Sequence, residues 1–193
     1  IDDARDILDI AERKIFECTE KRVAGQSIAI KDLVHRLSEQ LELRDEGICT
    51  GVPTGFADLD RMTAGFQPSD LIIIAGRPSM GKTAFCLNIA ANVALQANIG
   101  VAVFSLEMSA DQLVMRMLCS LAQLDLARVR VGHIQDREYK KIAQAVGQLG
   151  EAPIYIDDTP ALSVMELRAR ARRLRRDPSA NLGLIVVDYL QLM

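Results

Sequence analysis

The sequence predicts an α/β fold in which a mainly parallel sheet is flanked by helices and preceded by a helical linker region. Two observations support this prediction. From residue 56 onward, short apolar runs typical of strands alternate with stretches of helical apolar spacing, which is the pattern of βαβ units. One of these runs leads into a glycine-bounded loop that ends in Lys82-Thr83, and such loops connect a strand to a helix. Since ligands of parallel sheets bind at the carboxyl ends of the strands, we expect a site at that edge.

The sequence divides into a linker region, residues 1–46, and a larger domain, residues 47–193. Within the first region, residues 1–22 repeat apolar side chains at alternating three- and four-residue spacing, which predicts an amphipathic helix. A second helical stretch follows, and residues 44–55 are rich in turn formers. The apolar stripe of the first helix could pack on its own domain or dock on another subunit. The turn-rich segment favours docking on another subunit.

The strands and helices of the larger domain follow from apolar spacing and from helix-start signals. The predicted strands are residues 71–75, 101–105, 154–156 and 184–187. The predicted helices are residues 82–96, 110–122, 137–149 and 164–176. Two of these helices follow the capping-box pattern, in which Ser109 precedes Gln112 and Ser163 precedes Glu166.

The loop between the first predicted strand and helix fits the pattern G-x-x-x-x-G-K-[ST] and predicts a nucleotide phosphate site. Its residues are Gly76, Arg77, Pro78, Ser79, Met80, Gly81, Lys82 and Thr83. The glycines let backbone N–H groups approach phosphate oxygens, and the following helix adds the positive end of its dipole. Lys82 can reach the β- and γ-phosphates, and the Thr83 hydroxyl can ligate Mg²⁺. The alternative is a glycine-rich turn with an incidental lysine.

Two acidic residues follow predicted strands and are candidates for hydrolytic chemistry. Asp188 ends the run 184–187, where a second Mg²⁺-organising carboxylate is expected. Glu107 lies just past the run 101–105, and it could polarise water as a general base if that strand neighbours the strand before the loop. On spacing alone, Asp188 could be an ordinary strand-end residue and Glu107 a solvated loop residue.

The composition limits the classes of protein to which this chain can belong. The 193 residues are 49% hydrophobic and 25% charged, enough for one domain with a core and an appendage. No apolar run approaches the roughly 18 residues of a membrane span and no secretory leader is visible, so we expect a cytoplasmic protein without membrane contact. The four widely spaced cysteines predict reduced thiols. Because the chain begins with Ile1 and not with Met, we expect a piece of a longer protein.

The charge is unevenly distributed along the chain. The net charge is −3, which argues against unspecific nucleic-acid binding by the whole chain, yet residues 163–176 hold six arginines. Leu167, Ala171 and Leu174 form a stripe that can pack on a sheet and leave the arginines on outer faces. No aromatic side chains interleave with them to stack on single-stranded bases. A solvated or subunit-contacting face is therefore favoured over direct phosphate contact.

Several motifs resemble, in the same order, those of replicative DNA helicases of the DnaB type. They are Thr54-Gly-Phe-x-x-Leu-Asp60, Gly65-x-x-Pro-x-Asp70-Leu, the phosphate loop, Phe104-Ser-Leu-Glu-Met108 and Val187-Asp-Tyr-Leu-Gln-Leu-Met193. The resemblance covers nearly the whole chain. It implies a RecA-like P-loop NTPase core in a hexameric ring that encircles single-stranded DNA and moves 5′ to 3′ with ATP and Mg²⁺. It also implies primase and a helicase loader as partners, and a place at the bacterial nucleoid.

The resemblance also implies a role for each candidate residue. Lys82 would contact the β- and γ-phosphates, and Thr83 would hold Mg²⁺ with Asp188 as the second metal-organising acid. Glu107 would be the catalytic carboxylate. Residues 1–22 would be the linker helix that packs against a neighbouring subunit. In this family the DNA-contacting loops, a γ-phosphate sensor and an arginine finger lie beyond the last residue of this chain, which is therefore expected to carry half of an ATP site.

Two other functions stay open on the sequence alone. A RecA-like recombination or repair ATPase would share the phosphate loop and the fold without unwinding a fork. A catalytically silent nucleotide-binding module would lack the arginine of the neighbouring subunit. DNA-stimulated hydrolysis with 5′-to-3′ unwinding distinguishes the helicase from both.

Overall fold

A computed structural model describes residues 30, 31, 34 and 49–189 of the chain. The chain divides into two compact units, Ile1–Glu42 and Leu43–Met193. The predicted amphipathic helix 1–22 lies outside the described residues. In the second helical stretch, residues 30, 31 and 34 are helical. The boundary after residue 46 stays a prediction.

The described part of the second unit alternates helices and strands. In chain order these are α1 (Ala57–Thr63), α2 (Lys82–Ala97), β1 (Gly100–Ser105), α3 (Ala110–Ala122), α4 (Leu126–Arg130), α5 (Asp136–Glu151), β2 (Ile154–Asp157), α6 (Val164–Arg176) and β3 (Leu182–Asp188). The four predicted helices and three of the four predicted strands are confirmed to within two residues at either end. The helices α1 and α4 were not predicted. With seven and five residues, they are too short to show a clear apolar periodicity.

The three strands form a parallel sheet in the order β2-β1-β3, which confirms the predicted sheet type. Val101 of the central strand lies opposite Ile154 on one side and Leu184 on the other. All six residues of β1 are buried, since helices cover both faces of the sheet. The strand therefore consists of a nearly continuous apolar run.

The predicted strand 71–75 does not belong to this sheet. Among the described residues no strand pairs with it, and the side chains of Leu71 and Ile73 are 82% and 70% exposed. The prediction rested on the apolar run Leu-Ile-Ile-Ile-Ala, which indicates a segment suited to burial between neighbours. The apolar character of the run does not specify its neighbours. The three described strands do not pair with it.

Side chains of β1 alternate between the two faces and build one apolar cluster on each. Val101 and Val103 pack with buried residues of α2 and α3, whereas Ala102 and Phe104 pack with Leu162 and α6. Helices thus lie on both faces of the sheet, as the predicted α/β fold requires. Within the described residues, no helix is long and apolar enough to cross a membrane.

The arginine-rich helix α6 packs on the sheet through the predicted stripe. Ala171 is buried, and Leu167 and Leu174 pack against the same cluster as Phe104. The helix begins with the predicted capping box, in which the Glu166 carboxylate accepts from the Ser163 N–H at 3.0 Å. The apolar spacing and the start signal were both sufficient here, because each depends only on residues within the helix itself.

The predicted capping box at the start of α3 is wrong. The helix does begin after Ser109, but the Ser109 side chain makes no capping hydrogen bond to the described part of the chain. The N–H of Ala110 instead donates to the Asp158 carboxylate at 2.8 Å. This carboxylate comes from the loop after β2, 48 residues further along the chain, so the local sequence pattern could not reveal it.

The motif 54–60 ties the start of the larger domain to α2. The Asp60 carboxylate accepts from the N–H and the hydroxyl of Thr54, both at 2.8 Å, and from the Gly55 N–H at 3.1 Å. Asn92 of α2 donates to the Thr54 carbonyl at 3.1 Å. Thr54 is fully buried, so its polar atoms depend on these partners.

Replacing Asp60 with alanine is expected to lower the free energy of unfolding by about 2 to 4 kcal/mol, because three donors lose an ionised acceptor. Chemical denaturation measures this change. Asp58 on the same helix is the matched control, since it pairs with Arg61 through side chains that are 88% and 80% exposed. Asp58→Ala should cost less than about 1 kcal/mol. Equal losses for the two variants would contradict the assignment.

An ion pair joins α6 to the end of β2. The Arg170 guanidinium lies 2.6 Å from the Asp157 carboxylate and also donates to the Thr159 hydroxyl at 2.7 Å. Burial by itself would raise the pKa of Asp157. The hydrogen bonds from Arg170 and Thr159, together with the Arg170 charge, outweigh burial and hold that pKa below its usual value.

The Asp157–Arg170 pair should make stability depend on pH on the acid side. The folded-state pKa of Asp157 is depressed, so its contribution is present above the unfolded pKa of about 3.9 and is lost as pH falls through the folded value. Arg170→Gln should cost on the order of 1 kcal/mol or less at neutral pH, since Arg170 is 40% exposed. Denaturation at pH 7 and pH 3 should show this loss shrinking with acid. Arg173→Gln on the same helix is the control, and a pH-independent loss for Arg170→Gln would contradict the pairing.

Candidate active site

The site lies at the carboxyl edge of the sheet, where β1, β3 and the start of α2 meet. The Thr83 hydroxyl, in the first turn of α2, donates to the Asp188 carboxylate at the end of β3 across 2.7 Å. These two residues are 105 positions apart in the chain. The structure thus brings together the two residues predicted to organise a metal ion.

The phosphate loop reaches α2 through two residues with left-handed backbone, one of which is a glycine. Ser79 and Gly81 both have left-handed φ angles, of 65° and 85°, and Gly81 is the N-cap residue of the helix. Met80 closes a turn by donating its N–H to the Arg77 carbonyl at 3.3 Å. No side chain of the described residues caps α2, so its first N–H groups stay open to an anionic ligand.

The side chain of Lys82 folds back over the loop. Its ammonium donates to the carbonyl of Gly76, the first residue of the motif, at 3.0 Å. The positive charge is therefore held at the loop's own backbone, beside the uncapped helix start. A phosphate bound there would meet the ammonium and the backbone N–H groups together.

Glu107 lies in the turn after β1 and is exposed. The sequence predicts a general base here if the strand before Glu107 neighbours residues 71–75. In the described sheet this strand, β1, does not neighbour them and pairs with β3 instead. Ser105 lies opposite Asp188 in the register, and the Leu106 N–H donates to the Asp188 carbonyl at 2.8 Å. The turn that carries Glu107 therefore lies next to the end of β3, which carries Asp188. The strand order that places it there cannot be read from spacing.

Cys86 is a half-buried neighbour of the site that the sequence indicated only as a core thiol. It follows Thr83 by three residues on α2, so the two side chains share a helix face. Burial raises the pKa of the Cys86 thiol, and the negative charge of Asp188 raises it further. The Asp188 carboxylate thus interacts with two residues of α2, through a hydrogen bond with Thr83 and through its charge with Cys86. The three-residue spacing between Thr83 and Cys86 was the sequence signal that could have indicated this neighbour.

The residues present fit a nucleotide with Mg²⁺. Thr83 and Asp188 offer a hydroxyl and a carboxylate, the hard oxygen ligands that Mg²⁺ prefers. In the described part of the chain there is no cluster of three or more potential metal-ligating side chains. Such sparse protein ligation is typical of Mg²⁺ bound through one or two side chains and substrate phosphates.

Comparison with known proteins agrees with this geometry. Residues 51–193 match the model of the DnaB-like helicase C-terminal domain. The chain belongs to this family. It is 50% identical to the replicative DNA helicase DnaB of Geobacillus stearothermophilus over 189 residues, which cover 97% of this chain and 41% of that protein. It is 47% identical to the replicative DNA helicase DnaC of Bacillus subtilis over 194 residues, which cover 100% of this chain and 42% of that protein.

Two solved structures show the same fold as this DnaB-like domain. The first, described as an ATPase domain, is 31% identical with a TM-score of 0.79, over 86% of this chain and 59% of that one. The second, a DnaB-like replicative helicase described with its interactions with primase, is 28% identical with a TM-score of 0.75, over 97% of this chain and 48% of that one. These matches confirm the predicted RecA-like α/β fold. The chain spans about two fifths of the length of the two replicative helicases named above.

Proposed function

We propose that this chain is the nucleotide-hydrolysing part of a replicative DNA helicase that unwinds duplex DNA 5′ to 3′ as a hexameric ring. The observation that carries the proposal is the 2.7 Å hydrogen bond between Thr83 and Asp188, which joins the phosphate loop to a strand-end carboxylate. A loop that only bound phosphate would not need such an acid. The names of the relatives, replicative DNA helicases, supply the class of reaction.

Residues 76–83 bind the phosphates of ATP in this proposal. Backbone N–H groups of the loop and the start of α2 surround the phosphate oxygens, with the ammonium of Lys82 close to them. Lys82 exchanges the Gly76 carbonyl for the β- and γ-phosphates. Since that carbonyl is neutral and the phosphates are anionic, the exchange is favourable.

Thr83 and Asp188 would hold Mg²⁺ through their oxygen atoms. When bound, the ion would supply positive charge against the negative charge that develops on the phosphate. Glu107, on its exposed turn beside Asp188, orients a water molecule and accepts its proton. Binding and proton transfer are thereby assigned to different elements, the loop with α2 on one side and the turn after β1 on the other.

The site is completed by a neighbouring subunit in this proposal. An arginine of that subunit would approach the γ-phosphate, and residues 1–22 would dock on the neighbour and close the ring. The isolated chain should therefore hydrolyse ATP very slowly. Primase is proposed as a partner because a 28% identical structure is described with primase, and a helicase loader is proposed on the family resemblance. A cytoplasmic place at the nucleoid is proposed on the family resemblance, since the relatives are named replicative DNA helicases.

Single-stranded DNA is proposed to bind mainly outside this chain. In α6, Arg170 is paired with Asp157, and the apolar stripe of the helix is packed on the sheet. These contacts support a structural or subunit-contacting role for the helix. In this proposal, the arginines on the outer faces of α6 make only a secondary electrostatic contribution to DNA binding.

The test is made with the full-length protein on forked duplexes that carry a 5′ or a 3′ single-stranded tail. We expect single-stranded DNA to stimulate ATP hydrolysis, and strand separation only on the substrate with the 5′ tail. Lys82→Ala should remove both activities and serves as the control. Strand exchange without unwinding would favour the recombination ATPase. Nucleotide binding with no hydrolysis under any condition would favour the silent module.

A further inference from the structure

We propose that Ser105 is a positioning residue for hydrolysis, whose buried hydroxyl fixes the turn that carries Glu107. This inference rests on the proposed function, since it concerns the orientation of the base in that reaction. Ser105 ends the central strand β1 and is 1% exposed. Every other residue of this strand is apolar or glycine, so the hydroxyl stands out against its surroundings.

The Ser105 hydroxyl makes two hydrogen bonds to one residue. It donates to the Met108 carbonyl at 2.7 Å and accepts from the Met108 N–H at 3.1 Å. A small ring is thus closed between the strand end and the residue three positions later. Leu106 and Glu107 are the two residues inside this ring, and their backbone is held at both ends.

Three further contacts fix the same turn. The Leu106 N–H donates to the Asp188 carbonyl at 2.8 Å, and the Leu106 side chain is buried in the cluster that contains Phe104. Met108 packs against the cluster on the opposite face of the sheet. The residues on either side of Glu107 are therefore anchored in two different apolar clusters.

Unlike the backbone around it, the Glu107 carboxylate is not anchored by contacts within the described residues. Among residues 49–189, no hydrogen bond or ion pair holds it, and the residue is exposed. Its position consequently depends on the backbone of the turn. A misplacement of about 1 Å can reduce turnover on the order of 100-fold, so the ring closed by Ser105 bears directly on the rate.

The test compares Ser105→Ala with wild type in the full-length protein. We expect kcat for ATP hydrolysis to fall about 10- to 100-fold, with nucleotide affinity nearly unchanged, because the phosphate loop and Asp188 lie on other elements. Ser105→Cys keeps the branching of the side chain but replaces the hydroxyl with a larger thiol that is a weak donor, and it should lose rate as well. Ser105→Thr keeps the hydroxyl and should recover part of the rate.

A double variant separates positioning from general destabilisation. If Ser105 acts through Glu107, adding Ser105→Ala to Glu107→Gln should change kcat by less than about twofold, since the base is already absent. Ser163→Ala is the matched control, because it removes a hydroxyl that caps α6 away from the site, and it should leave kcat intact. Thermal denaturation checks that each variant folds.

The outcomes distinguish this inference from the proposed function. Wild-type kcat in a folded Ser105→Ala or Ser105→Cys variant would overturn the positioning role, as would full additivity in the double variant. Should Glu107→Gln itself retain full turnover, the base assignment would fail first. A loss in nucleotide affinity that equals the loss in kcat would also overturn the inference, because it would place the effect of Ser105 in binding.

Discussion

Replacing Lys82 with alanine should weaken ATP binding on the order of 100-fold or more and abolish hydrolysis at ordinary nucleotide concentrations. Removing one partner of a close charge pair costs about 3 kcal/mol, which corresponds to roughly 100-fold in affinity. In the structure the ammonium lies against the first carbonyl of the phosphate loop, where bound phosphates would meet it. Equilibrium binding of a fluorescent ATP analogue measures the loss.

Two controls make the Lys82 result specific. Lys140→Ala removes a lysine from the exposed surface of α5 and should leave affinity unchanged. Thermal denaturation of Lys82→Ala should stay close to wild type, because the lysine donates one hydrogen bond to a loop carbonyl. Near-normal affinity in a folded Lys82→Ala variant would mean that the loop does not hold phosphate in the way proposed.

The replacement Glu107→Gln should reduce turnover about 100- to 10,000-fold while leaving nucleotide affinity within about threefold of wild type. Glutamine keeps the shape of the side chain but cannot accept the proton of an attacking water. The exposed turn makes no contact that binding of the phosphates would need, since Lys82 and Thr83 lie on another described element. Single-turnover hydrolysis measures the chemical step apart from product release.

A second glutamate provides the comparison for this variant. Glu151 ends α5 on the surface, and Glu151→Gln should hydrolyse ATP at the wild-type rate. Full turnover by Glu107→Gln would reassign the general base. A parallel loss of affinity and rate would instead place Glu107 in phosphate or metal binding.

Much of the site could be predicted because its chemistry is local in sequence. The glycines, Lys82 and Thr83 occur within eight consecutive residues, and the helix that follows them has clear apolar spacing. The pairing of Thr83 with Asp188 was also predictable in kind, since a metal ion needs ligands from two elements at the carboxyl edge of a sheet. The confirmed helices α3 and α6 depend likewise on apolar spacing along one short segment of the chain.

Apart from the short helices α1 and α4, the features that escaped prediction depend on distant parts of the chain. The N–H of Ala110 is satisfied by Asp158 instead of by the adjacent Ser109, and a local capping pattern cannot exclude such a partner. The order β2-β1-β3 decides that Glu107 lies beside Asp188, but alternating strands and helices are compatible with several orders. Residues 71–75 have the composition of a buried strand whatever neighbours they have.

The hydrogen bond from the Leu106 N–H to the Asp188 carbonyl has a consequence for the timing of the reaction. It joins the turn that carries Glu107, the proposed general base, to the strand end that carries Asp188, the proposed metal ligand. In the proposed mechanism, the backbone segments that carry the two acids are thus joined when the chain folds and need not be brought together in each cycle. Such preorganised charge lowers the reorganisation that accompanies the transition state. In the proposed ring, the arrival of groups from a neighbouring subunit is then the step left to regulate. The order of ATP hydrolysis among the subunits would be set at their boundaries, without rearranging the acids inside each one.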